Sequence, residues 1–198
     1  MPRVSEAHLA ARRQQILDAA VRCFARNGFH QTSMQDVIKE AELSVGAFYR
    51  YFKSKNELIM AIATTKIGEV TGTLDHLLAL DPMPPLPVFL DEVITMVETA
   101  LNADQTVRIA VQVWGEATYD DEVAAVVREV YGRIRERMVR AAERAQTAGQ
   151  LPADADASGI GAAVFGLIQG YILQSVLIGN LDRETYTAGV RALLGAGR

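Results

Sequence analysis

Apolar residues recur at helical spacing along almost the whole of this chain, and the period-two alternation that a half-buried strand needs is missing. Leu17, Ala20, Val21 and Phe24 fall at i, i+3, i+4 and i+7 and give one apolar face to a helix over about 7–27. No Asn-Gly hairpin signal, repeat or low-complexity tract interrupts the pattern. The expected fold is therefore all-α, with about nine helices. With 49% apolar residues, the 198-residue chain has enough to bury a sizeable core.

Short breaks divide the helices unevenly. Gly28 stands where a left-handed stop is expected, with Phe29 placed to fold back onto the helix it ends. Two short helices follow, about 33–41 with Met34, Val37, Ile38 and Ala41, and 45–52 with Phe48 and Phe52 on its buried side. Thr32 with Gln35 fits a capping box for the first, although Ser33 is an alternative cap. Ser44 caps the second, and Glu42-Leu43 makes the tight turn between them. Ser54 and Glu57 form a further box that opens a long helix. The four prolines of Asp81–Pro87 end that helix. Beyond them the pattern predicts helices over 86–101, 107–116, 121–147, 158–178 and 183–194, the long one capped by Asp120 and broken by Gly149 and Pro152.

Two short helices joined by a tight turn, with a third across them, are the helix-turn-helix arrangement, in which the second short helix enters a major groove. Charge agrees with this placement. The net charge is −4, yet residues 1–57 hold nine Lys/Arg against six Asp/Glu, a +3 head on a body of −7.

The segment Gly28-Phe29-x-x-Thr32-Ser33-Met34-x-Asp36-Val37-Ile38, followed by Leu43-Ser44-Val45-Gly46-Ala47-Phe48-Tyr49-Arg50-Tyr51-Phe52-x-Ser54-Lys55-x-Glu57-Leu58, resembles the N-terminal domain of TetR-family regulators over roughly residues 10–62. The resemblance implies a DNA-binding domain over 1–54 and a helical ligand-binding and dimerisation domain over 55–198. It implies that Tyr49 and Lys55 clamp phosphates, and that Thr32 and Ser33 offer hydroxyls and backbone N–H groups to another. Gln35 then stands near the backbone or groove edge. Ser44, Val45, Gly46 and Ala47 open the recognition helix, where Val45 or Ala47 reaches a thymine methyl. Arg50 and Tyr51 are long exposed side chains, Arg50 suited to guanine or phosphate. Where the family often has glycine in the turn this chain has Glu42, at a steric cost and with a negative charge near DNA. Arg12 and Arg13 are either solvated or part of a minor-groove arm.

For the effector pocket the expected lining is Phe89, Met96, Gln112, Trp114, Glu116, Tyr119, Tyr131, Phe165 and Gln169, with ordinary core packing as the plainer alternative for each. For a homodimer the expected contacts are Val130, Ile134, Gly166, Gly170, Leu173 and Leu177, since two DNA heads about 34–36 Å apart reach successive major grooves. The uncharged stretch 160–178 is of borderline length for a membrane span, but its glycines, glutamines and acidic flanks point to a helix buried on two sides of a soluble protein. The single cysteine, Cys23, forbids an intrachain disulfide and suits a reducing cytosol, and the N-terminus lacks the apolar core of a signal peptide. Three scattered histidines and the absence of HExxH, GxSxG, P-loop and GxGxxG patterns leave no basis for an enzyme, a cofactor or a metal. The expectation is a cytoplasmic, ligand-responsive regulator of a double-stranded DNA operator, repression being the family's commoner mode. The competing reading is a helical binding or scaffolding protein without DNA activity.

Overall fold

The computed structural model describes residues 6–103, 106–179 and 181–195. Among them are nine helices and no strand: α1 Glu6–Asn27, α2 Met34–Glu40, α3 Val45–Phe48, α4 Lys55–Ala79, α5 Leu86–Ala103, α6 Thr106–Glu116, α7 Asp121–Thr147, α8 Ala157–Leu177 and α9 Arg183–Gly195. Two compact units emerge. One runs to Lys66 and takes in Arg108–Val127; the other comprises Ile67–Val107 and the chain from Arg128 onward. The unit boundaries thus fall inside α4, α6 and α7, whereas the sequence places a division between 54 and 55.

The first unit is built on the α1 face that the periodicity predicts. Ile16, Leu17, Ala20, Cys23 and Phe24 are buried with Val37, Ile38, Phe48, Phe52, Leu58, Ile59 and Ile62, and with Ile109, Val113 and Val123. Gly28 has φ +82°, its N–H donates to Phe24 O at 2.9 Å, and the Phe24 and Phe29 rings meet edge-on at 5.2 Å. This is the expected left-handed stop with its hydrophobic fold-back.

The turn between α2 and α3 is held from outside. Gln15 Nε2 donates to Ala41 O at 2.8 Å, and the Leu43 N–H reaches Ile38 O. Glu42 takes φ +53°, the only positive φ at a non-glycine among the described residues. A left-handed L-residue costs about 1–2 kcal/mol, of which glycine returns part in lost chain entropy. Glu42→Gly is expected to stabilise the protein by about 0.5–1 kcal/mol, read as a raised melting temperature. A lowered one would mean that the Glu42 side chain contributes more than its backbone costs.

The second of the two short helices is shorter than the sequence predicts. Helix α3 ends at Phe48, with Tyr49 as its C-cap, and the Tyr51 N–H donates to Phe48 O at 2.9 Å. This i→i+3 tightening buries both Phe48 and Phe52 and leaves Arg50 and Tyr51 in the turn that follows.

In the second unit, Leu74, Leu78, Leu86, Phe89, Leu90 and Val93 share a core with Met138, Ala141, Ala145, Val164, Phe165, Ile168 and Val190. Asp120 and Asp156 cap α7 and α8, and Gly149 and Gly179 take positive φ beyond their ends. Helix α8 is long and apolar enough to cross a membrane. This single chain covers one side of it: Gly161, Val164, Phe165, Ile168 and Tyr171 are buried, while Ala162, Ala163, Gly166 and Leu177, on the side expected to meet a partner, are exposed.

Candidate nucleic-acid interface

The outer surface of α2, α3 and the turns around them carries Ser33, Gln35, Asp36, Lys39, Glu42, Ser44, Val45, Gly46, Arg50 and Lys53, all exposed. Nearby cations are committed elsewhere. Arg22 and Arg26 both pair with Glu40, at 2.8 and 2.9 Å, tying α1 to α2, and they hold the Glu40 carboxyl below the usual range. Part of the basic excess of the head therefore fastens helices to each other.

Capping takes the alternative open at Ser33. Its hydroxyl accepts from the Asp36 N–H at 3.2 Å and donates to Asp36 Oδ2 at 2.6 Å, while its own N–H donates to the same oxygen at 2.8 Å. Thr32 is instead 1% exposed, and its hydroxyl lies within hydrogen-bond reach of Gly28 O (2.7 Å) and Cys23 O (3.2 Å). Burial withdraws it from the phosphate role that the resemblance implies. A shared acceptor leaves the Ser33 donors occupied as well.

The hydrogen bonds from the Ser33 hydroxyl and N–H hold the Asp36 carboxyl below the ordinary 3.8. A depressed folded-state pKa adds stability above the unfolded value, lost as pH falls through the folded one. The stability difference between the protein and its Asp36→Asn variant should be flat near neutrality and close below about pH 4, as thermal melts across pH would show. A difference that persists at pH 2 would assign the contribution to the uncharged cap geometry.

Lys55, for which the resemblance implies a phosphate contact, is engaged within the first unit. Its ammonium donates to Phe29 O (2.9 Å) and His30 O (3.1 Å) and sits 4.5 Å from the centre of the Phe29 ring. Burial lowers its pKa and the Glu116 carboxylate opposes that shift. The ammonium thus secures the α1–α2 corner. Glu57 supports the same end of α4: its N–H donates to Ser54 Oγ at 3.1 Å, and its carboxylate accepts the Lys53 N–H at 2.6 Å. The expected box is present with its return bond moved by one residue.

Tyr49 is placed differently. Its half-buried ring stands edge-on to Phe48 at 5.9 Å, and its hydroxyl has no hydrogen-bond partner among the described residues. Lys53, which the sequence reading passed over, donates from Nζ to Tyr49 O. Tyr51 is half-buried against the core of the unit. Ser44 Oγ accepts from the Ala47 N–H at 3.3 Å, and Ala47 is half-buried. Arg13 lies 5.3 Å over the Phe52 ring, and Arg12 donates to Gln15 Oε1 at 2.7 Å, so both sit against α1's own surroundings. Burial pushes the Cys23 thiol up, as suits a core residue.

The nine expected pocket residues divide between the units. In the first, Gln112 Oε1 accepts the Phe29 N–H at 2.8 Å, Glu116 lies 3.4 Å from His30 Nδ1, Trp114 is half-buried and Tyr119 is 93% exposed. Gln112 and Glu116 thereby serve the α1–α2 corner, and Tyr119 has no wall to belong to. In the second, Phe89 is fully buried, Met96 and Gln169 are half-buried, and the Tyr131 and Phe165 rings lie 5.6 Å apart. Of the expected dimer contacts, Gly166 and Leu177 are exposed, Val130 and Leu173 are half-buried, and Ile134 packs on its own core. Gly170 faces inward, where a Cβ would meet the Tyr186 hydroxyl at 3.4 Å. On α9, Leu193 is 74% exposed, an apolar position that sequence reasoning missed because the α9 pattern is short.

Comparison with known proteins gives the family and the fold. Residues 16–62 match the bacterial regulatory proteins of the tetR family, and residues 91–197 match the C-terminal domain of BetI-type transcriptional repressors. The transcriptional regulator UidR of Escherichia coli K12 is 27% identical over 184 residues, 92% of this chain and 91% of that protein. The transcriptional repressor Rv1474c of Mycobacterium tuberculosis is 46% identical over 63 residues, which span 34% of its length. Among solved structures, Salmonella enterica GusR superposes with a TM-score of 0.78 at 25% identity over 98% of both chains. Bacillus subtilis FadR, solved with stearoyl-CoA, shares the fold with a TM-score of 0.77 at 22% identity over 93% of this chain and 98% of that one. Regulators of this kind bind DNA operators and small-molecule effectors and act as dimers. The chain belongs to the TetR family of bacterial transcriptional regulators.

Proposed function

We propose that this chain is a cytoplasmic, homodimeric repressor that grips a double-stranded operator through α2 and α3 and lets go when a small molecule occupies its second unit. The observation that carries the DNA reading is the surface of α3. A folded head presents an apolar, small-residue front at Val45 and Gly46, bordered by exposed Gln35, Lys39, Arg50 and Lys53 and by the Tyr49 hydroxyl, which has no hydrogen-bond partner among the described residues. Phosphate donors around a groove-reading front are what an operator needs. The BetI-type match over 91–197 supports repression. Within the second unit, Met96, Tyr131, Phe165 and Gln169 are the residues we assign to effector contact. Exposed Gly166, Leu177 and Leu193 support a partner covering α8 and α9. Release then follows from a population shift toward a state whose heads no longer fit successive grooves.

The test is fluorescence anisotropy with DNA flanking the protein's own gene, across a salt series. Sequence-selective binding that weakens steeply with salt supports the reading. Sequence-blind binding on every flanking fragment, or no binding by a verified folded dimer at low salt, counts against it and favours a helical scaffold.

A further inference from the structure

Gly46 is glycine without a structural demand for it. Its φ is not left-handed, it is exposed, and a Cβ there would meet nothing within 4 Å. In a helix, glycine instead of alanine costs about 1 kcal/mol. Next to it, Val45 is a β-branched apolar side chain 51% exposed to solvent. The rest of α3 is turned inward: Ala47 is half-buried with its N–H on Ser44 Oγ, and Phe48 is fully buried. The exposed front of α3 therefore holds no hydrogen-bonding side chain beyond its cap. In a major groove, the base-edge feature that an apolar side chain can select is the C5-methyl of thymine. A backbone stripped of its Cβ allows the approach that such a short contact requires.

Resting on the DNA reading above, we infer that the first turn of α3 reads a thymine methyl: Gly46 admits the groove edge to the backbone, and Val45 makes the methyl contact. Polar readout then falls to residues outside that turn.

The experiment takes the operator found by the anisotropy measurement and replaces each half-site thymine by deoxyuridine, one at a time. It compares the native protein with Val45→Ala, Val45→Thr and Gly46→Ala, each checked by thermal melting. One position should weaken native binding about three- to tenfold when its methyl is removed, the effect of one to two buried methyl-sized groups. Val45→Ala should bind the thymine operator more weakly and no longer distinguish uracil there. Val45→Thr, which keeps one methyl and the branching, should keep part of the distinction. Gly46→Ala should melt no lower than the native protein yet bind about tenfold more weakly, because the added methyl occupies the approach space. Uracil tolerated at every position, an unchanged uracil penalty in Val45→Ala, or native affinity in Gly46→Ala would each overturn the inference while the DNA reading stands. Absence of sequence-selective binding by the native protein would overturn both.

Discussion

Gly161→Ala should cost this protein about 1–3 kcal/mol, although alanine is the better helix former by about 1 kcal/mol. A Cβ at position 161 of α8 would lie 2.7 Å from Val139 N and Val139 Cγ2 and 2.8 Å from Val139 Cα on α7. Two of those atoms are backbone. A rotamer change cannot relieve the clash, so the helices must move apart and loosen the core around Met138, Ala142 and Val164. For a chain of this size such a loss lowers the melting temperature by about 2–4 °C per kcal/mol. Gly166→Ala is the control on the same helix: its Cβ would meet nothing within 4 Å, and helix propensity alone predicts equal or greater stability. Similar melting temperatures for both variants would mean that α7 and α8 are not held at this distance. A loss in Gly166→Ala that grows on dilution would report a partner subunit on the exposed side of α8.

The contrast between these glycines also marks what the sequence could reveal. Periodicity finds a helix and its apolar face from local spacing, and residue type marks its ends, so the helices, the Gly28 stop and the Asp120 cap were legible, while the positive φ at Glu42 was implied by the glycine that the resembling family often has in that turn. Helix-helix separation is set by residues far apart in the chain, and Gly161 and Gly166 read alike in one dimension. The same holds at the candidate site. Val45 and Gly46 are exposed because Phe48 and Phe52 claim the inner side of their segment, a period-based inference. That Thr32 is buried, or that Gln112 serves the Phe29 N–H from 83 residues away, follows from tertiary packing alone. The pocket was the least legible part, because bulky amphipathic residues such as Trp114 and Tyr119 suit a cavity wall, a core and a surface equally well until neighbours are known.

Lys55 is where the family resemblance and the geometry part most sharply, and Lys55→Met separates them. Methionine keeps an unbranched apolar stem over the Phe29 ring and removes the ammonium. If the ammonium serves the α1–α2 corner, the Phe29 and His30 carbonyls lose their donor and the ring loses its cation. The first unit should then lose about 1–2 kcal/mol, a charged donor's bonds discounted for partial exposure. Operator binding should weaken without a change in its salt dependence, because no phosphate contact has been removed. A phosphate clamp predicts the opposite pair: near-native stability and a log–log salt slope shallower by about one. Alkaline melts supply a third readout. Burial lowers the Lys55 pKa beneath the ordinary 10.5, so between the two values the unfolded chain holds more protons than the folded one. Native stability therefore gains as pH rises from the lowered pKa toward 10.5, and the methionine variant should lack that gain. An ammonium that leaves its carbonyls for a phosphate when DNA arrives would combine the two signatures, losing stability without DNA and salt slope with it.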